Sequence, residues 1–142
     1  MLEGFQGGTI LGYPMETLLA EKVETMLVRG LANTRAKDLF DLWVLSRTSL
    51  SLTLGSTTAA LAATAQHLGT TLTLDYVALQ PIYGEDARLE GIWNAYVRSK
   101  GLVVPKFPKV VEQVQRFIRP MVAAALPEDL ERTWDPAPAA WR

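Results

Sequence analysis

Lys22, Asp38 and Asp41 are the residues whose types and spacing point most directly to chemistry. Lys22 is flanked by Leu18 at i−4 and Met26 at i+4, so its ammonium emerges from an apolar stripe. Asp38 stands over Leu42 and Leu45, again on a largely apolar surface, and Asp41 lies one turn further on. The segment Gly30 to Thr34 between the two stretches is short, which favours an antiparallel helical hairpin. At about 1.5 Å of rise per residue, Lys22 sits roughly 10 Å from the turn, Asp38 about 5 Å and Asp41 about 10 Å. A lysine side chain spans that offset. An ammonium facing two carboxylates can grip or orient an anionic group, but it also arises simply because buried charges need partners.

The elements that must position these residues follow from the apolar pattern. Tyr13-Pro14 punctuates a glycine-rich extended lead-in segment, residues 1–13. A helix then runs with Leu19, Val23, Met26 and Leu27 at helical spacing, and Gly30 stops it. Asn33-Thr34 offers N-caps for a second helix over about Arg35 to Ser46. That helix is apolar nearly all round and belongs in the interior. Leu50 to Leu54 and Thr71 to Leu74 have the look of short strands around an alanine-rich helix, Ser56 to Leu68, with Leu61, Ala65 and Leu68 on one face. A further helix spans about Asp86 to Ser99. The last starts near Pro108, buries Val110, Val114, Phe117, Ile118 and Val122, and is bent or ended by Pro120. The expected fold is mainly α, about five helices around the hairpin, with at most minor short strands. Residues 14–125 form the domain and 126–142 a loosely held tail.

With 142 residues, nearly half of them apolar, the chain has enough material for one core. It has no cysteine, which excludes disulfides, thiolate metal sites and a cysteine nucleophile. The net charge of −1 advertises no nucleic-acid field. Lys100, Lys106, Lys109, Arg116 and Arg119 read as solvated helix faces. No apolar run is long enough for a membrane span, and the first residues lack the pattern of a secretory signal, so a cytoplasmic location is expected. His67, the only histidine, reads as a surface residue, and Glu21 and Glu24 are expected to face water. Trp43 and Trp93 read as core anchors, whereas Trp134 and Trp141 could dock on a partner or back on the domain.

The stretch Tyr13-Pro14-Met15-Glu16-Thr17, Ala20-Glu21-Lys22-Val23-Glu24-Thr25-Met26, Arg29 and Asn33-Thr34-Arg35-Ala36-Lys37-Asp38-Leu39-Phe40-Asp41-Leu42-Trp43 resembles the AbiEii/AbiGii nucleotidyltransferase toxin family. The resemblance continues more weakly through Leu61 to Thr71, with His67 where an arginine is common, and through Ala87-Arg88 and Trp93-Asn94-Ala95-Tyr96. It implies nucleotide transfer from an NTP to an acceptor such as tRNA, in a toxin–antitoxin and phage-defence setting with a cognate antitoxin. Lys22 would neutralise phosphate charge, Asp38 and then Asp41 would orient Lys22 or the attacking hydroxyl, and Arg29 and Arg35 would hold phosphate or nucleic acid.

The chain departs from the family pattern in one respect. No Gly-Ser loop with a paired acidic motif is present, and Gly7-Gly8 has no acids nearby. The resemblance thus implies the C-terminal helical half of a truncated or split protein, with no cofactor of its own and no activity alone. Mg²⁺ and NTP belong to the complete enzyme. Its partners would be an N-terminal nucleotidyltransferase half or a second copy of itself. The rival readings are a non-enzymatic interaction or dimerisation module and a degenerate remnant.

Overall fold

The computed structural model describes residues 5–6, 9–10, 13–48, 51–124 and 126–142. Three two-residue strands, β1 (Phe5–Gln6), β2 (Thr9–Ile10) and β3 (Tyr13–Pro14), pair antiparallel in that order. The glycine-rich lead-in thus carries a small meander where extended chain was expected, and its residues 1–4, 7, 8, 11 and 12 lie outside the described residues.

Five helices follow: α1 (Met15–Arg29), α2 (Ala36–Ser46), α3 (Leu54–Leu68), α4 (Ala87–Lys100) and α5 (Phe107–Val122). The fold is mainly α, as expected from the apolar periodicity. Gly30 ends α1 at φ +50°, and a Cβ there would come within 3.0 Å of Val77 Cγ1. Asn33 and Thr34 do not cap α2 in the expected way. Asn33 Oδ1 accepts from the Arg35 amide, and Arg35 occupies the cap position with no side-chain bond.

The hairpin is not the whole organising unit, because α1 packs more extensively on α3 than on α2. One core joins α1, α2, α3 and α5 through Leu19, Val23, Leu42, Leu61, Val114 and Phe117, all buried. At roughly 1.5–3 kcal/mol for each fully buried large apolar side chain, this core is the main force holding the helices together. Pro120 does not end α5 at once. The helix runs two residues further, and the Ala123 amide closes it on the Arg119 carbonyl.

Neither threonine-rich segment forms a strand among the described residues. Leu50 lies outside them. Thr53 makes a single bridge to Thr133 and spends its hydroxyl capping α3 by accepting from the Ser56 amide. Thr71 to Leu74 is irregular, followed by 3₁₀ turns at Val77–Leu79 and Pro81–Glu85. Leu68, expected on the buried face with Leu61 and Ala65, is 57% exposed.

The segment expected as a loose tail folds back onto the helices. Trp134–Asp135 (β4) and Ala140–Trp141 (β5) pair antiparallel, and both tryptophans are buried. The indole N–H of Trp134 donates to the Ser46 carbonyl at 2.7 Å, and that of Trp141 to the Phe117 carbonyl at 3.0 Å. Trp141 stacks on Phe117 with ring centres 5.9 Å apart. The same segment serves α3: the Leu54 and Gly55 amides, orphan donors of its first turn, donate to the Arg132 and Leu130 carbonyls. No helix among the described residues is long and apolar enough to cross a membrane.

Candidate functional site

α1 and α2 bring the three singled-out residues together. Lys22 Nζ lies 3.0 Å from Asp38 Oδ1 and 2.9 Å from Asp41 Oδ2. The local sequence explains the placement. Met26 and Leu19 turn one side of α1 into the core, so Lys22 rides the edge of the buried arc. Leu39, Leu42 and Leu45 do the same on α2, carrying Asp38 and Asp41 inward with them. Asp38 also sits in the first turn of α2, where the helix dipole favours a carboxylate.

Two further cations complete the cluster. Lys37 Nζ reaches Asp41 Oδ2 at 2.8 Å, one turn along α2. Arg35 Nε faces Asp38 Oδ2 at 3.0 Å. That contact is a charge pairing without hydrogen-bond alignment, so Asp38 Oδ2 is buried with no donor directed at it. The cluster therefore sets three cations around two carboxylates and keeps one positive charge over.

The lysine remains an ammonium well above neutral pH. Burial pulls its pKa down, but hydrogen bonds to Asp41 and Asp38, and then their charges, outweigh burial and hold it above the ordinary value. An ammonium has three donors, and two are engaged by the aspartates. The third remains for another acceptor at the partly open rim, where the Lys22 side chain is 14% exposed.

Of the other expected residues, Arg35 joins the cluster through Asp38, and Arg29 makes no ion pair with it. Arg29 stands exposed in the last turn of α1. Lys37 is the member that the sequence reading passed over, although its i,i+4 spacing to Asp41 was visible. Glu24, expected in water, is only 7% exposed, and its Oε2 has no hydrogen-bond partner. Beside the cluster, Asn33, Arg35, Tyr83 and Trp93 line a pocket of about 20 Å³. That volume admits a single water and excludes an aromatic ring.

The donor set decides whether the cluster can hold a divalent cation. Asp38 and Asp41 are its two carboxylates, and both are already compensated by Lys22, Arg35 and Lys37. Such a surround repels Mg²⁺, which needs converging carboxylates free of competing cations. Among the described residues no group of three or more histidine, aspartate or glutamate side chains is arranged to hold a metal. The cluster is suited to holding an anion and does not fit a metal.

A family model described as "Nucleotidyl transferase AbiEii toxin, Type IV TA system" matches residues 2–131, most of the chain. No curated protein and no solved structure matches it. The matched span contains Lys22, Asp38 and Asp41 together with both helices that hold them, and the chain belongs to the AbiEii nucleotidyl transferase toxin family.

Proposed function

We propose that the Lys22–Asp38–Asp41 cluster is the phosphate-handling element of a toxin that transfers a nucleotide from an NTP to an RNA acceptor, tRNA being the first to test. The observation that carries this reading is the ammonium of Lys22, held by two aspartates on a neighbouring helix with one donor left over. An ammonium fixed before the substrate arrives stabilises developing phosphate charge without reorganising, the main requirement in phosphoryl and nucleotidyl transfer. Asp38 and Asp41 act as positioning residues that keep Lys22 charged and aimed. Arg35 and Arg29 add positive charge along the approach.

Because the cluster is unsuited to Mg²⁺, the carboxylates that would hold it come from another segment or another polypeptide. This chain is thus the helical, C-terminal part of the working enzyme and is inactive alone. Membership of a toxin family of type IV toxin–antitoxin systems also supports a cognate antitoxin as partner.

The test is a labelling assay with Mg²⁺, radiolabelled NTPs and tRNA. The chain alone should leave the RNA unlabelled. Adding a polypeptide with the family's Gly-Ser loop and acidic residues should give labelling that Lys22→Ala abolishes. Strong labelling by the chain alone would refute the division of labour, and supplemented labelling indifferent to Lys22→Ala would refute the role of Lys22.

A further inference from the structure

A second cationic feature lies where α5 meets the C-terminal hairpin, away from the Lys22 cluster. Arg116 and Arg119 of α5 and Arg132 of the returning segment line one cleft of about 480 Å³, with Leu54 and Trp141 among its walls. On a chain of net charge −1, three arginines lining one concavity do not follow from overall composition.

The protein uses few of their donors. Arg119 spends one N–H on the Leu79 carbonyl at 2.8 Å and has no carboxylate partner among the described residues. Arg116 pairs with Glu112 through one nitrogen at 3.0 Å. Arg132 pairs with Asp129, the one acid lining the cleft, and reaches the Trp141 carbonyl. Each guanidinium carries five N–H groups, so most of this donor capacity faces the cleft or solvent. The backbone bonds that clamp Leu130 and Arg132 to the start of α3 hold Arg132 opposite α5, so the groups are gathered before any ligand binds.

We propose that this cleft binds phosphate oxyanions. Arginine's planar fork matches the tetrahedral oxyanion bidentately, and all three cations lining the cleft are arginines. Along α2, Asp38 and Ser46 are separated by roughly 12 Å of helical rise, and the hairpin docks at the Ser46 end. The cleft is therefore a site apart from the Lys22 cluster. The phosphate can belong to the phosphodiester backbone of a nucleic acid strand or to a free phosphate or nucleotide.

The full chain is titrated with inorganic phosphate and pyrophosphate by calorimetry, and with a fluorescein-labelled oligouridylate by anisotropy at several salt concentrations. The double variant Arg116→Gln/Arg119→Gln should weaken binding at least tenfold, while Lys100→Gln, at an exposed cation of α4 outside the cleft, leaves it unchanged. For the oligonucleotide, the loss of two phosphate contacts should lower the salt slope by about 1.4. Arg116→Gln alone, whose one ion-pair partner among the described residues is the exposed Glu112, should show part of the loss and guards against a folding defect in the double variant. Binding of the oligonucleotide but not the small anions assigns the cleft to a strand; the reverse assigns it to a free phosphate. Full-strength binding in both glutamine variants, or no binding of any probe, would overturn the proposal.

Discussion

Lys22 and Asp41 meet across two helices at 2.9 Å, and the aspartate is the deeper partner, its side chain 2% exposed against 14% for the lysine. The same Asp41 oxygen also takes Lys37, whose side chain is largely in solvent. One carboxylate thus neutralises a half-buried ammonium and tethers a surface one, and the two contacts differ in energy because their solvent differs.

Removing Asp41 leaves Lys22 beside the core with Asp38 as its one carboxylate, so the loss should approach but not reach the about 3–5 kcal/mol of a fully broken buried pair. Removing Lys37 costs at most about 1 kcal/mol, as exposed ion pairs do. Replacing Lys22 and Asp41 together by methionine and leucine removes both charges of that pair but takes from buried Asp38 its one hydrogen-bond donor, so it should recover only part of the loss. Urea unfolding of Asp41→Ala, Lys37→Ala and the double replacement checks this. Equal losses for Asp41→Ala and Lys37→Ala would show that Asp41 is not serving Lys22.

The convergence of Lys22, Asp38 and Asp41 was legible because both helices carry strong apolar stripes and the loop between them is short. Lys37 was equally visible by spacing but looked like an ordinary solvated charge. Glu24 escaped because its burial depends on packing between helices far apart in sequence. The C-terminal hairpin escaped for a related reason. Trp134 and Trp141 stand in a proline-rich stretch with no periodicity, and their partners, Ser46 and Phe117, are long-range. The strand-like threonines misled because Thr53 and its neighbours serve as helix caps, a competing use for the same residue type.

Stability should be flat through neutral pH and fall above about pH 10. Burial raises the pKa of the Tyr83 hydroxyl above its ordinary 10.0, and Asp86 adds to this while the Asn33 hydrogen bond opposes it. The unfolded chain then loses this proton first, so unfolding becomes easier as pH passes 10.0. The raised Lys22 works in the same direction. Its contribution is complete below the ordinary 10.5 and disappears as pH climbs through the higher folded value. Urea midpoints from pH 7 to 11 should decline late in wild type and less steeply in Tyr83→Phe and Lys22→Met. A midpoint that already falls between pH 7 and 9 would contradict both assignments.

Trp134 ties the C-terminal hairpin to the end of α2. Trp134→Phe keeps a ring against Phe117 but leaves the Ser46 carbonyl without its donor, at a cost of about 1–3 kcal/mol. Trp134→Ala also opens a cavity and should cost about 3–5 kcal/mol. Limited proteolysis should cut the alanine variant within residues 126–142 before wild type is touched. Simultaneous cleavage of both proteins would mean that the hairpin is not held by this indole.

Two glycines with opposite surroundings test whether the returning segment is clamped to α3. A Cβ on Gly55 would lie 2.9 Å from the Leu130 carbonyl oxygen and 3.2 Å from Leu130 Cβ, and the Gly55 amide donates to that same oxygen at 2.8 Å. Gly55→Ala must therefore push the backbone at Leu130 away or lose the bond, an overpacking cost of about 1–3 kcal/mol. Gly91 stands within α4 with nothing within 4 Å of its would-be Cβ. There alanine relieves the conformational freedom of glycine and should stabilise by about 0.5–1 kcal/mol. Thermal melts of the two variants should move in opposite directions. If Gly55→Ala rose with Gly91→Ala, Leu130 could not be packed against the first turn of α3, and Arg132 would lose the anchor that sets it opposite Arg116 and Arg119.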